Sequence, residues 1–122
     1  MIQRLSFWIM MIVCSVMVSG QEYDGYYTNP ILPSGADPWV VKHEGWYYYC
    51  CGVPGGIGVS RSRDLHKINP PVRVWKAPEK GQWNSTCIWA PELHFWKGKW
   101  YIFYAGGYSG PPFIHQKTGV LE

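Results

Sequence analysis

Two stretches of the chain carry the same rhythm of apolar and polar positions. The first runs Ala36-Asp37-Pro38-Trp39-Val40-Val41, reaches polar His43-Glu44-Gly45, and continues as Trp46-Tyr47-Tyr48-Tyr49-Cys50-Cys51 to Gly52. The second runs Ala90-Pro91-Glu92-Leu93-His94-Phe95-Trp96, then Lys97-Gly98-Lys99, then Trp100-Tyr101-Ile102-Phe103-Tyr104-Ala105 to Gly106. β-Branched and aromatic runs of this length favour a pleated, half-buried surface. A glycine in the short polar break supplies the positive φ of a tight turn. Each stretch therefore predicts a β-hairpin. Measured by Trp46 and Trp100 the units lie 54 residues apart, and by Asp37 and Glu92 they lie 55 apart.

The first unit has room for two more strands, Ile57–Ser60 and Val72–Trp75. Between them lie a turn over 61–66, where Asp64 can bond local backbone, and the break at Pro70-Pro71. The second unit continues through Pro111-Pro112 into expected strands over 113–115 and 119–121. No helical period of useful length appears. Four strands in about 50 residues is the size of a propeller blade. A propeller closes with about 4–8 blades, so two blades predict the N-terminal part of a longer chain. The competing reading is a small β-sandwich with two similar hairpins, for which few strands are available.

Residues 1–20 read as an address. Arg4 gives a positive start, 7–18 is apolar apart from Ser15, and Val18-Ser19-Gly20 offers the small residues of a cleavage site. That run is shorter than the roughly 20 residues needed to span a bilayer. The expectation is an exported protein whose folded part is 21–122, with no membrane association after cleavage. Cys14 leaves with the signal. Cys50, Cys51 and Cys87 remain, an odd number that makes no disulfide framework. In a strand, adjacent Cys50 and Cys51 point to opposite faces, and both read as small buried apolar residues.

Composition narrows the class. Of 122 residues, 17% are aromatic and 16% charged, with 8 Trp, which excludes a disordered tail. The net charge of +3 comes from 11 scattered basic residues. A nucleic-acid partner would need a concentrated basic face.

Two carboxylates stand out. Asp37 and Glu92 are each expected to open a first strand, which in a propeller is the innermost one. Converging carboxylates suit acid–base work, while a carboxylate at a strand start also suits a solvated turn. Trp39, Trp46, Trp89, Trp96 and Trp100 surround them in sequence. Flat rings suit sugar faces as well as cores. Trp89, expected in a loop-to-strand junction just before Ala90-Pro91, is the best candidate for a ligand-facing ring. Gly55-Gly56-Ile57-Gly58 lacks the Lys-Ser/Thr of a phosphate loop and reads as a turn. Asn84-Ser85-Thr86 fits a glycosylation acceptor. The four His have no metal-ligand spacing.

In combination and order, several motifs resemble glycoside hydrolase family 43. They are Asn29-Pro30 with Gly35-Ala36-Asp37-Pro38, Ser62-Arg63-Asp64-Leu65, Ile88-Trp89-Ala90-Pro91-Glu92-Leu93-His94 and Lys99-Trp100-Tyr101-Ile102. The segment from His115 to Glu122 resembles the family's continuation. The resemblance implies an all-β, five-bladed β-propeller, of which about the first two blades are present, and inverting hydrolysis of arabinosides or xylosides. The Trp-Ala-Pro-Glu-Leu-His variant looks most like the arabinofuranosidase branch. By the same resemblance Asp37 matches the general base. Trp89, Ala90 and Glu92 match positions at the sugar pocket, with Trp39 beside them, and Glu92 is not the general acid. The acid and a pKa-tuning Asp come from later blades, so the 122-residue chain alone is expected to be inactive. The implied partner is a carbohydrate. No cofactor is required, although the family fold allows a channel cation such as calcium.

Overall fold

The computed structural model describes residues 29–122, and among these it is all β, with no helix. The expected export signal lies outside the described residues. Seven strands form two antiparallel meanders. The first sheet holds β1 (Trp39–His43), β2 (Trp46–Val53), β3 (Gly56–Ser62) and β4 (Val72–Lys76), in that spatial order. The second holds β5 (Thr86–Trp96), β6 (Lys99–Gly107) and β7 (Lys117–Leu121).

Tight turns join most neighbours, and their residues explain them. Glu44 and Gly45 take φ of 47° and 72°, and Lys97 and Gly98 take 48° and 81°. Positive φ at both central positions marks the two-residue turn whose twist matches the flanking strands. Pro54-Gly55 instead has positive φ only at Gly55, 71°, the pattern of a type II turn. After β3, the Asp64 carboxylate accepts a 2.9 Å bond from the His66 amide, the local bond anticipated for it. The expected strand over 113–115 is not one. Those residues turn, with the Phe113 amide donating to the Gly110 carbonyl at 3.1 Å, and the next strand begins at Lys117.

The sheets stack face to face through β5, which lies over β1 and β2. Cys50 and Ile57 from one sheet meet Leu93, Ile102 and Tyr104 from the other, all buried, with Trp39, Val41, Tyr48, Trp75 and Trp100 around them. Ile57 and Cys50 are fully enclosed. Away from β1 and β5 the sheets diverge. A cleft of about 630 Å³ opens between Val59 and Trp75 on one side and Ile102 and Leu121 on the other. Sheets that touch near their first strands and splay toward their last ones are wedge-shaped, as blades around an axis must be. Cys51 and Tyr49 occupy the opposite face of the first sheet, under the 29–38 and 65–71 segments. Both cysteines are buried, on opposite faces, and neither is in a disulfide.

Candidate active site

The two first strands run in the same direction from the same end of the stack. Trp39, at the start of β1, donates its indole N–H to the Leu93 carbonyl at 2.7 Å, and its ring lies 4.9 Å from that of His94. Four residues on, the His43 ring meets Phe95 at 4.0 Å and Trp100 at 5.2 Å. The Glu44-Gly45 and Lys97-Gly98 turns therefore share one end, and Asp37 and Ala90 share the other. At that second end, a Cβ built on Gly52 would stand 3.7 Å from the Ile88 carbonyl oxygen, so β2 also closes against the Trp89 segment.

The pairing register corrects the sequence alignment of the two units. His43 pairs with Trp46 and Trp96 with Lys99, while Trp39 pairs with Cys50 and Glu92 with Phe103, so equivalent positions lie 53 residues apart. Counting on at that spacing, past the last paired residue of β1 and the register shift before Glu92, sets Asp37 against Ala90 and Pro38 against Pro91. Trp39, not Asp37, is the counterpart of Glu92. The backbone makes the same equation independently. Asp37 and Ala90 both sit in the left-handed region, φ 48° and 44°, and both precede proline. An L-residue there is strained by about 1–3 kcal/mol and persists only where its surroundings hold it. Glu92 does not open its strand. It lies well inside β5, with a carboxylate oxygen 3.5 Å from His94 Nε2, an ion pair whenever that imidazole is protonated.

Each expected site residue now has a place. Asp37 is exposed, two residues before β1, at the end shared with Ala90. Trp39 is half-buried between the sheets, its N–H already engaged. Trp89 is inside β5, not at a junction. It pairs with Ala105 between two register shifts, at Thr86/Trp89 and Trp89/Glu92. Such bulges re-aim side chains, and Trp89 remains 40% exposed. Its ring meets that of Phe113 edge-on at 4.8 Å. Phe113 and His94 are neighbours of the site that the sequence left unassigned. The Pro111-Pro112 pair before Phe113 was the available signal that a loop, not a strand, follows.

The thiols have no place in this chemistry. Burial, with Cys51 beside it, pushes the Cys50 thiol from 9.0 up to about 12. Burial raises Cys51 as well. Both stay protonated and inert at neutral pH. What the shared end offers is a solvent-accessible carboxylate on a strained backbone position and, on the neighbouring sheet, an exposed tryptophan against Phe113.

Residues 27–121 match the family described as Glycosyl hydrolases family 43. The chain belongs to that family. A curated relative, alpha-L-arabinofuranosidase 43 of Humicola insolens, is 38% identical over 89 residues, covering 69% of this chain and 18% of its own length. An extracellular exo-alpha-(1->5)-L-arabinofuranosidase of Streptomyces avermitilis is 37% identical over 86 residues, covering 66% of this chain and 18% of itself. Among solved structures, the alpha-L-arabinofuranosidase of Lactobacillus brevis superposes with a TM-score of 0.69 at 32% identity, over 77% of this chain and 32% of that one. The family 43 chain thus spans about a fifth of these curated relatives, and its two sheets are two blades of the family's five-bladed propeller.

Proposed function

We propose that this family 43 chain contributes the general base and one wall of the sugar pocket to an exported, inverting α-L-arabinofuranosidase. Asp37 carries the reading: its carboxylate stands on a left-handed Asp-Pro step at the end of the stack where Trp89 is exposed. In the reaction an ionised Asp37 takes a proton from water as that water's oxygen bonds to the anomeric carbon. The bond to the leaving oxygen breaks, and a separate acid protonates it. Inversion needs the two carboxyls about 6.5–9.5 Å apart, so that the water fits between substrate and base. The acid and the pKa-tuning Asp would come from outside these 122 residues, and the span alone should not turn over substrate. Trp89, with Ala90 and Glu92 nearby, would form the pocket wall, and Trp39 would brace it from below. Export is supported by the apolar leader and by the extracellular Streptomyces relatives.

The test is Asp37→Asn in the intact gene product, assayed on an aryl α-L-arabinofuranoside. Activity should fall about 10²–10⁴-fold with the fold unchanged, and NMR of the wild-type reaction should show the inverted anomer forming first. A fully active Asp37→Asn enzyme would remove Asp37 from the base role. Sugar binding without turnover by the wild type would make the protein a lectin-like propeller.

A further inference from the structure

The segment 108–116, between β6 and β7, is a built element. The Cys87 thiol meets the Ser109 carbonyl at 3.5 Å, and the Gln116 amide donates to the Cys87 carbonyl at 3.3 Å, so both ends are tied to the start of β5. The Gln116 side chain also lies over Gly107, where an added Cβ would stand 2.5 Å from its amide oxygen. Within the segment the rings of Tyr108 and His115 stack at 4.5 Å. Phe113, at its tip, is held in the left-handed region at φ 59°. Bulky residues adopt that conformation rarely, and only when the surroundings impose it. Here the imposed conformation sets the Phe113 ring against Trp89, tilted by 67° at 4.8 Å, while 37% of Phe113 stays open to solvent. Ile114 beside it is 73% exposed.

A core pair would be enclosed, and a solvated loop would not be pinned at both ends. The arrangement is an apolar rim that fixes the angle of an exposed tryptophan. We infer that Phe113 is a positioning residue that sets the Trp89 ring for the apolar face of a neutral pentose. This rests on the proposed sugar site and adds to it a residue outside the family motifs. Edge-to-face aromatic pairs contribute modestly beyond area burial, so removing the partner should weaken sugar binding by about 3- to 10-fold.

The experiment uses the intact gene product, with α-1,5-linked arabinotriose as the probe, the linkage for which the Streptomyces relatives are named. Kd is read by calorimetry, and KM and kcat are read separately. Phe113→Ala should raise Kd and KM about 3- to 10-fold with kcat within about two-fold, and Phe113→Tyr should restore both. Should Phe113→Ala fail to fold, Phe113→Leu keeps the bulk and should show the same loss. An unchanged Kd in Phe113→Ala, or equal losses in Phe113→Ala and Phe113→Tyr, would overturn the inference even if the wild type is active. A weakened Kd with an inactive wild type would leave Phe113 in its role and sink the glycosidase reading. No binding by the wild type would overturn both.

Discussion

The indole N–H of Trp39 crosses from the first sheet to the second and donates to the Leu93 carbonyl at 2.7 Å. It is a polar tie between the blades within an otherwise apolar contact. Trp39→Phe keeps most of the ring and removes the donor. The expected cost is about 1 kcal/mol, read as a lower denaturation midpoint with unchanged m. Trp39→Ala should cost several times more, because packing is lost with the bond. Equal stability of Trp39→Phe and wild type would show that the tie contributes nothing.

The Asn84 side-chain amide donates at 2.7 Å to the Tyr104 hydroxyl, and Tyr104 is buried. The acceptor nitrogen of the Asn84-Ser85-Thr86 sequon is therefore engaged, and the Asn84 Cβ lies over Gly106, 3.1 Å from where a Cβ would be. A glycan there and the folded packing compete. Asn84→Ala should destabilise by about 1–3 kcal/mol, because a buried hydroxyl loses its partner. Thr86→Ala removes the sequon and leaves the bond, so it should be near neutral. Mass spectrometry of protein from a glycosylating host should find Asn84 bare in the folded fraction.

Cys50 sets a pH limit on the fold. Its thiol is pushed up to about 12 in the folded chain, from an ordinary 9.0. Below pH 9 both states hold the proton and stability is unaffected. Above it the unfolded chain loses the proton first, so unfolding is favoured and stability falls progressively toward pH 12. Cys50→Ala should flatten that decline, at a separate cost for the small cavity it leaves. An identical alkaline slope in the variant would exclude Cys50 as its source.

Ala90 tests the strained step before Pro91. At φ 44° a glycine is at ease and a β-branched residue is not. Ala90→Gly should stay within about 0.5 kcal/mol of wild type, and Ala90→Val should lose about 1–3 kcal/mol. A Val variant as stable as Ala90 would mean that the left-handed position is not maintained in solution.

The hairpins were legible because Glu44-Gly45 and Lys97-Gly98 are strong turn signals between apolar runs. The register was not. Trp46-Tyr47-Tyr48-Tyr49 is aromatic at every position, so alternation cannot say which side faces the core. A slip of one residue then exchanges the faces unnoticed. Matching Trp46 with Trp100 made that slip: in the structure the equivalent of Trp46 in the second unit is Lys99, and that of Tyr48 is Tyr101. The bulges around Trp89 hid Glu92's place for a similar reason, since each bulge adds a residue that period-two counting does not expect. Asp37 was found through its motif and Ala90 as a pocket position through the resemblance, but Ala90 was not matched to Asp37 in the repeat, because its methyl group carries no chemistry that would invite the comparison.

That last equivalence separates scaffold from cargo. Blade one and blade two present the same proline-backed pedestal, and one displays a carboxylate where the other displays a methyl group. The pedestal is a property of the backbone and accepts a small unbranched load, a carboxylate in one case and a methyl group in the other. A fold that repeats such mounts around an axis can vary its chemistry by single side-chain exchanges, with no loop rebuilt and no strand moved.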